Sequence, residues 1–320
     1  MFSQKRFIPF AWGALAYNVG VILWGAYVRA TGSGAGCGSH WPLCNGEVIP
    51  QTDQIKTLIE YSHRVSSGIS VLLILLLLVW AFRAFSKGHP ARLGASLSTL
   101  FIITEALIGA GLVLFGLVDT NDSVARAFTI SLHLVNTFLL LASLALTARW
   151  ASTGIRSRLR EQGAVLWLLG AGLMATMILG TSGALTALGD TLYPSSSLAQ
   201  GVQQDLSPTA PLLTQLRLLH PVVAISVAFF WIVISGFVSA SRPSQAVRRL
   251  SQIIVLLFLI QLALGALNVT LLAPVWLQIV HLLMMDLIWI TLVLFASTAL
   301  AANRPLPEAR KGELGKPSPG

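Results

Sequence analysis

What this sequence has least of is charge. Only 10% of its 320 residues are Asp, Glu, Lys or Arg, against about 25% in an ordinary soluble domain. So little charge cannot cover a water-facing surface, and a mean hydropathy of +0.76 points to a membrane protein. Acidic residues are scarcest, 12 against 21 basic ones, for a net charge of +9. No aromatic and basic residues interleave in a patch that would grip nucleic acid, so the excess bears on orientation instead. Cysteine is limited to Cys37 and Cys44, enough for one internal disulfide. No cleavable leader is evident in the sequence either. Phe7 to Val28 is 22 uncharged residues, too long for a signal-peptide core, so the first helix is expected to stay.

What is present is a series of apolar runs. Charge-free stretches mark eight spans, near 7–28, 65–85, 93–117, 125–148, 162–184, 214–240, 250–271 and 275–302. The last two share one uncharged run of 36 residues, Leu250 to Met285, which Pro274 divides. With the N-terminus in the cytoplasm, only five of the 21 basic residues fall outside: Arg29, Lys56, Arg64, Arg126 and Arg217. The positive-inside rule then puts both termini in the cytoplasm. Two outer connections are long, about 29–62 and 185–213. The second, rich in Ser, Pro and Gln, is expected to be polar and mobile. From Asn303 the chain turns to Pro, Gly and Lys without apolar period, so 303–320 is expected to be disordered. The fold class is an all-α membrane protein of eight transmembrane helices.

The chain also repeats. Leu107-Ile108-Gly109-Ala110 in the third span resembles Leu264-Gly265-Ala266 in the seventh. Gly32-Ser33-Gly34-Ala35 after the first span echoes Thr181-Ser182-Gly183-Ala184 after the fifth. His63 and His220 open spans two and six, and His133 and His281 lie early in spans four and eight. Four spans are an even number, so both halves enter the membrane from the same side. A pseudo-twofold axis along the membrane normal is expected, relating four-helix halves 1–150 and 151–302.

A lone histidine near a helix end usually serves as a polar anchor. Four of them, near the outer ends of four helices in repeated positions, point to function. None has another histidine three or four residues on, so a zinc site of the HExxH kind is excluded. Ligand pairs must come from different helices, and two imidazoles facing across a bundle hold a six-coordinate haem. Pairing within each half gives His63 with His133, and His220 with His281. Haem propionates would point outward, toward Arg29, Arg64, Arg126 and Arg217, which serve equally well as interface anchors.

The halves are not chemically equal. Glu60 stands three residues before His63, and Arg217 stands three before His220. A carboxylate can take or give a proton and an arginine cannot, so the first half is the candidate for chemistry and the second for a resident cofactor. The bland alternative for Glu60-Tyr61-Ser62-His63-Arg64 is a helix-start cluster that only caps and anchors its segment. Pro221, directly after His220, disfavours a helical conformation there. Cys37 and Cys44 suit a disulfide on an oxidising outer side, and His40 between them leaves a zinc alternative open. Glu105 and Asp286 lie inside spans and read as structural. Met284 and Met285 read as core packing, and His40 and His89 as solvated loop residues.

Together these residues resemble the haem A synthase family. Val28-Arg29-Ala30-Thr31-Gly32-Ser33-Gly34-Ala35-Gly36-Cys37, then Trp41-Pro42-Leu43-Cys44-Asn45-Gly46, are similar to that family's first outer loop. Glu60-x-x-His63-Arg64 is similar to its signature at the second span, and His133, His220 and His281 match its other haem positions. The resemblance implies oxidation of a porphyrin methyl of haem O to a formyl, through successive hydroxylations, to give haem A. It implies a resident haem b on His220 and His281, the substrate haem at His63 and His133, and a catalytic Glu60. It also implies a Cys37–Cys44 disulfide. Some members carry a second cysteine pair in the later outer loop; this chain has none there. The partners implied are a haem O synthase (protohaem farnesyltransferase) upstream and a haem–copper terminal oxidase downstream. The surroundings are the lipid of a bacterial cytoplasmic membrane, possible self-association is left open, and nucleic acid plays no part. Two other classes fit less well. A non-catalytic dihaem cytochrome needs the four histidines but not Glu60, and a transporter of two parallel repeats leaves the histidines unexplained.

Overall fold

The computed structural model describes residues 3–157 and 159–301, and among these the regular structure is all helical, with one isolated β-bridge between Cys44 and Glu47. The helices are α1 (Gln4–Ala30), α2 (Ile55–Ala84), α3 (Pro90–Leu114), α4 (Val124–Thr153), α5 (Ala164–Leu192), α6 (Leu198–Leu206), α7 (Leu212–Arg217), α8 (Leu219–Ser241), α9 (Gln245–Thr270) and α10 (Val275–Ala301). Eight membrane-long apolar segments result, with α7 and α8 forming one of them. Large apolar side chains such as Leu72, Leu107, Phe229 and Leu256 stand exposed along them. Inside lipid that exposure is favourable, and helices satisfy their own backbone bonds there. The tail from 303, expected to be disordered, lies outside the described residues.

Boundaries depart from the charge-free runs where charges are paired. The second helix starts at Ile55, ten residues before the run suggests, because Glu60 and Arg64 neutralise each other one turn apart. The stretch 185–213 is largely helical: α5 continues to Leu192, and α6 and α7 follow. His220 is helical despite Pro221. The interruption falls instead at Leu218, after Arg217, whose carbonyl the proline ring would otherwise meet. Pro274 does separate α9 from α10, across a turn in which Leu272 and Ala273 adopt positive φ. His89, read as a solvated loop residue, caps α3: its Nδ1 accepts from Ala91 N at 3.2 Å, and its ring stacks on Phe85.

The helices close into two rings. In one, α1, α2, α3 and α4 each touch the next, and α4 returns to α1; α5, α8, α9 and α10 do the same. Between the rings α4 meets α10, α4 meets α5, α1 meets α10 and α1 meets α5. The most buried helices are α4 and α10, so the core sits where the rings join. Helix α10 serves both sides. Met285, Trp289 and Val293 enter the first core, while Ile288, Leu292 and Phe295 enter the second. Trp289 stacks on Phe138 at 4.8 Å and donates Nε1–H to the Phe138 carbonyl at 2.6 Å. Met285 is core, and Met284 packs against the second cluster.

Candidate functional site

Each ring carries a pair of histidines, and each histidine faces a glycine on the apolar span before it. His63 lies so close to Gly25 of α1 that a Cβ there would stand 2.9 Å from Cε1 and 3.1 Å from Nε2. His220 lies against Gly183 of α5, where a Cβ would meet Cε1 at 3.0 Å. The corresponding figures are 3.3 Å for His281 against Gly265 of α9, and 3.8 Å for His133 against Gly109 of α3. All four glycines precede an alanine: Gly25-Ala26, Gly109-Ala110, Gly183-Ala184 and Gly265-Ala266. Gly25 and Gly183 thus each have a histidine neighbour, whereas Gly34 packs on Val118. Counting from the start of each span at 1.5 Å per residue, the four histidines sit roughly 9–14 Å in. His63 and His133 are within electrostatic reach of each other, as are His220 and His281.

The ring nitrogens are unevenly satisfied. Nδ1 of His63 and Nδ1 of His281 are buried with no hydrogen-bond partner among the described residues. Such a nitrogen is costly unless something takes its lone pair or its proton. His220 Nδ1 lies 2.9 Å from Ser182 Oγ, and His281 Nε2 lies 3.2 Å from the Gln261 amide nitrogen. His133 Nε2 lies 2.9 Å from Glu105 Oε1. Glu105 also accepts from Asn136 Nδ2 at 2.6 Å and Thr137 Oγ1 at 2.5 Å. It thus belongs to the first-half site, although no neighbour in the chain sets it apart from Asp286. Asp286 is fully buried, with both oxygens unpartnered among the described residues.

Glu60 is 3% exposed and faces the loop between α1 and α2. Its Oε2 accepts from the Cys37 amide at 2.7 Å, and its Oε1 accepts from Arg64 Nε at 3.1 Å and Nη2 at 2.5 Å. Arg64 Nη1 donates to the carbonyls of His40 and Leu43, both at 2.6 Å. Cys37 and Cys44 form a disulfide within this loop, so their sulfurs are not thiolates for zinc. Among the described residues no three His, Cys, Asp or Glu converge as a metal cage. Pairs of histidines are what the helices assemble. A porphyrin brings its own four nitrogens and asks the protein for two axial ligands, so the donor set fits a haem.

Residues 9–293 match the COX15-CtaA family, described as cytochrome oxidase assembly protein. The chain belongs to this family. Among curated relatives, a protoheme IX farnesyltransferase of Thermus thermophilus is 51% identical over 314 residues, covering 98% of this chain and 51% of that protein. The haem A synthase of Halalkalibacterium halodurans is 45% identical over 125 residues, 39% of this chain and 41% of that protein. That of an Exiguobacterium species is 35% identical over 172 residues, 53% and 54% of the two. The chain spans about half the length of the Thermus relative and matches about half or less of these others.

In this COX15-CtaA chain Arg29, Arg64, Arg126 and Arg217 all have partners within the protein. Arg29, at the end of α1, donates to Ala187 O at 2.5 Å and Thr191 Oγ1 at 2.7 Å on α5, and to Gln278 Oε1 at 3.1 Å on α10. It ties the two rings together. Arg126 donates to the carbonyls of Asp119 and Asn121 at 2.7 and 2.6 Å, and its buried Nε has no partner among the described residues. Arg217 pairs with Asp205 of α6 at 2.8 Å and Asp190 of α5 at 3.1 Å. Outside the spans, Tyr193 donates to Asp122 Oδ2 at 2.7 Å. That bond, and then burial, hold its hydroxyl above the usual tyrosine range.

Proposed function

We propose that this chain is a haem A synthase, oxidising one ring methyl of haem O to a formyl through successive hydroxylations. The observation that carries the reading is the histidine pair in each ring, every member on its own span and facing a glycine. His220 and His281 would hold a resident haem b, which would supply a one-electron redox centre. His63 and His133 would present haem O as substrate. Glu60 is the proposed catalytic residue, set three residues from His63 and held by Cys37 and Arg64. Arg29, Arg64, Arg126 and Arg217 lie near the outer ends of their helices, and the Nε groups of Arg126 and Arg217, buried without a partner among the described residues, are candidates for propionates. We read the halves 1–150 and 151–302 as related by a pseudo-twofold axis along the membrane normal. Exchanging α1–α4 for α5, α8, α9 and α10 maps the contacts between the rings onto themselves, as such an axis requires.

The proposed setting is the bacterial cytoplasmic membrane, both termini inside and the disulfide loop outside. The relatives named haem A synthase support the reaction. The Thermus protein, whose name is that of a haem O-forming enzyme, carries a segment like this chain in about half its length. We assign that name to its other half, and a farnesyltransferase as supplier of this chain's substrate. A haem–copper oxidase would receive the product. The decisive experiment expresses the chain with and without a haem O synthase, then extracts and weighs the haems. A haem with a formyl in place of a methyl, made only when both are present, is expected. Haem O left unchanged would reject the assignment.

A further inference from the structure

We propose that Ser182 is a positioning residue that fixes His220 with its Nε2 free for haem iron, and that the lack of a counterpart beside His63 leaves the substrate's ligand without a fixed tautomer. The inference rests on the reading that these histidines ligate haem iron. Ser182 Oγ lies 2.9 Å from His220 Nδ1. Its single hydroxyl hydrogen goes to the Leu179 carbonyl, at 2.8 Å within the same helix. Toward the imidazole the oxygen is therefore an acceptor, and the proton between them belongs to Nδ1. A neutral imidazole protonated at Nδ1 keeps its lone pair on Nε2. Nε2 makes no hydrogen bond among the described residues, so it is available to a metal. Gly183, next along α5, closes on the ring edge, where a Cβ would stand 3.0 Å from Cε1. Hydrogen bond and glycine together set the tautomer and the lie of the ring.

The first half lacks this device. Gly25 and Gly183 each back a histidine, and the residues before them are Trp24 and Ser182. An indole has only an N–H to give, and Trp24 donates its own to Ser62 Oγ at 3.1 Å. His63 Nδ1 is left buried with no partner among the described residues. Of the four histidines, His220 is the one whose Nδ1 is bonded among the described residues. A metal-bound imidazole that donates its other N–H to a fixed acceptor has its ring held and its basicity raised. A ring already ordered also loses less freedom when the ligand arrives. The resident haem b is thus held on a preset ligand. A substrate haem must enter and leave, and an imidazole without that anchor suits the exchange.

The competing account is a hydrogen bond that only glues α5 to α8, as polar residues do between membrane helices. A second bond between the same helices supplies the control. Trp231 Nε1 donates to Thr176 Oγ1 at 2.8 Å, both residues buried, about two turns along α5 from Ser182. Full-length protein carrying its haem b is mixed with excess apomyoglobin, and haem loss is followed by absorption. Wild type, Ser182→Ala, Ser182→Thr and Thr176→Ala are compared, and the reduction potential of each is titrated in parallel. Ser182→Ala should lose haem about fivefold faster, the effect of one hydrogen bond. Its less basic ligand should favour ferrous iron about twofold, a rise of about 18 mV for one electron. Ser182→Thr, which keeps the hydroxyl, should restore both, and Thr176→Ala should change neither. Ser182→Ala matching wild type in rate and potential, or Thr176→Ala moving both as far, would leave only the glue. If His220→Ala keeps its haem with an unchanged spectrum, the reading of the ligands fails instead.

Discussion

Replacing Gly25 with alanine should weaken haem binding in the first half while leaving the protein folded. The new Cβ would stand 2.9 Å from His63 Cε1, and ordinary contact begins near 3.4 Å, so the ring must give about 0.5 Å. Forcing an extra methyl into a packed site costs about 1–3 kcal/mol. Alanine in place of glycine inside a helix returns about 1 kcal/mol. Global stability therefore changes little, while a misplaced ligand should reduce haem affinity roughly 5- to 150-fold. Gly183→Ala should do the same to the second half, since its Cβ would meet His220 at 3.0 Å. Gly265→Ala, at 3.3 Å, should be milder. Gly109→Ala, at 3.8 Å, should bind haem normally and melt higher, as should Gly13→Ala, which meets nothing within 4 Å. The assay is the haem-to-protein ratio by pyridine haemochrome beside a melting curve in detergent. Equal haem in Gly25→Ala and Gly109→Ala would refute the reasoning.

Two further outcomes follow from particular contacts. Arg29→Ala removes three hydrogen bonds that tie α1 to α5 and α10 and strands their acceptors, which should cost about 2 kcal/mol or more. Arg29→Lys should not restore it, because one ammonium cannot reproduce the guanidinium fork; melting temperatures matching wild type would count against the tie. Glu60→Ala should keep haem in the second half and stop formyl formation, while freeing the Cys37 amide and raising hydrogen exchange in the disulfide loop. A normal yield of haem A from that variant removes the catalytic role.

The apolar spans were legible because lipid leaves the chain no alternative. A helix that crosses must shed charge for about 20 residues, and shed charge is visible in sequence. The same rule misplaced the start of α2, since Glu60 and Arg64 lie inside the helix as a pair and interrupt the run. It could not foresee α6 and α7, which are short and lie among Ser, Pro and Gln. Glu105 is the instructive miss. A single acid in an apolar helix reads the same whether it lacks a partner among the described residues, like Asp286, or is seated on an imidazole of the next span. Nothing local distinguishes the two, because the partner is 28 positions away in the chain. The spacing from Gly109, repeated as Gln261 from Gly265, is the signal that would have found it. Those glycines were visible in the repeat, but their use as backing for histidines needed coordinates.

On the proposed reading, two exchanges between matched positions divide the labour. At three residues before the outer histidine, Glu60 draws the disulfide loop onto α2 through the Cys37 amide, and Arg217 draws α6 onto the bundle through Asp205. The two clamps differ in sign, so Asp205 would meet like charge at the position of Glu60. At the inner position, Glu105 and Gln261 repeat the choice beside the second histidine. Both exchanges place the carboxylate in the first half. Oxidising a porphyrin edge withdraws electrons from it, and a fixed negative group such as Glu105 stabilises the positive charge that develops. A resident haem has the opposite need, to survive turnover unaltered, and the Gln261 amide of the second half offers it no such help. The same helical frame can therefore hold two similar haems and act on only one of them.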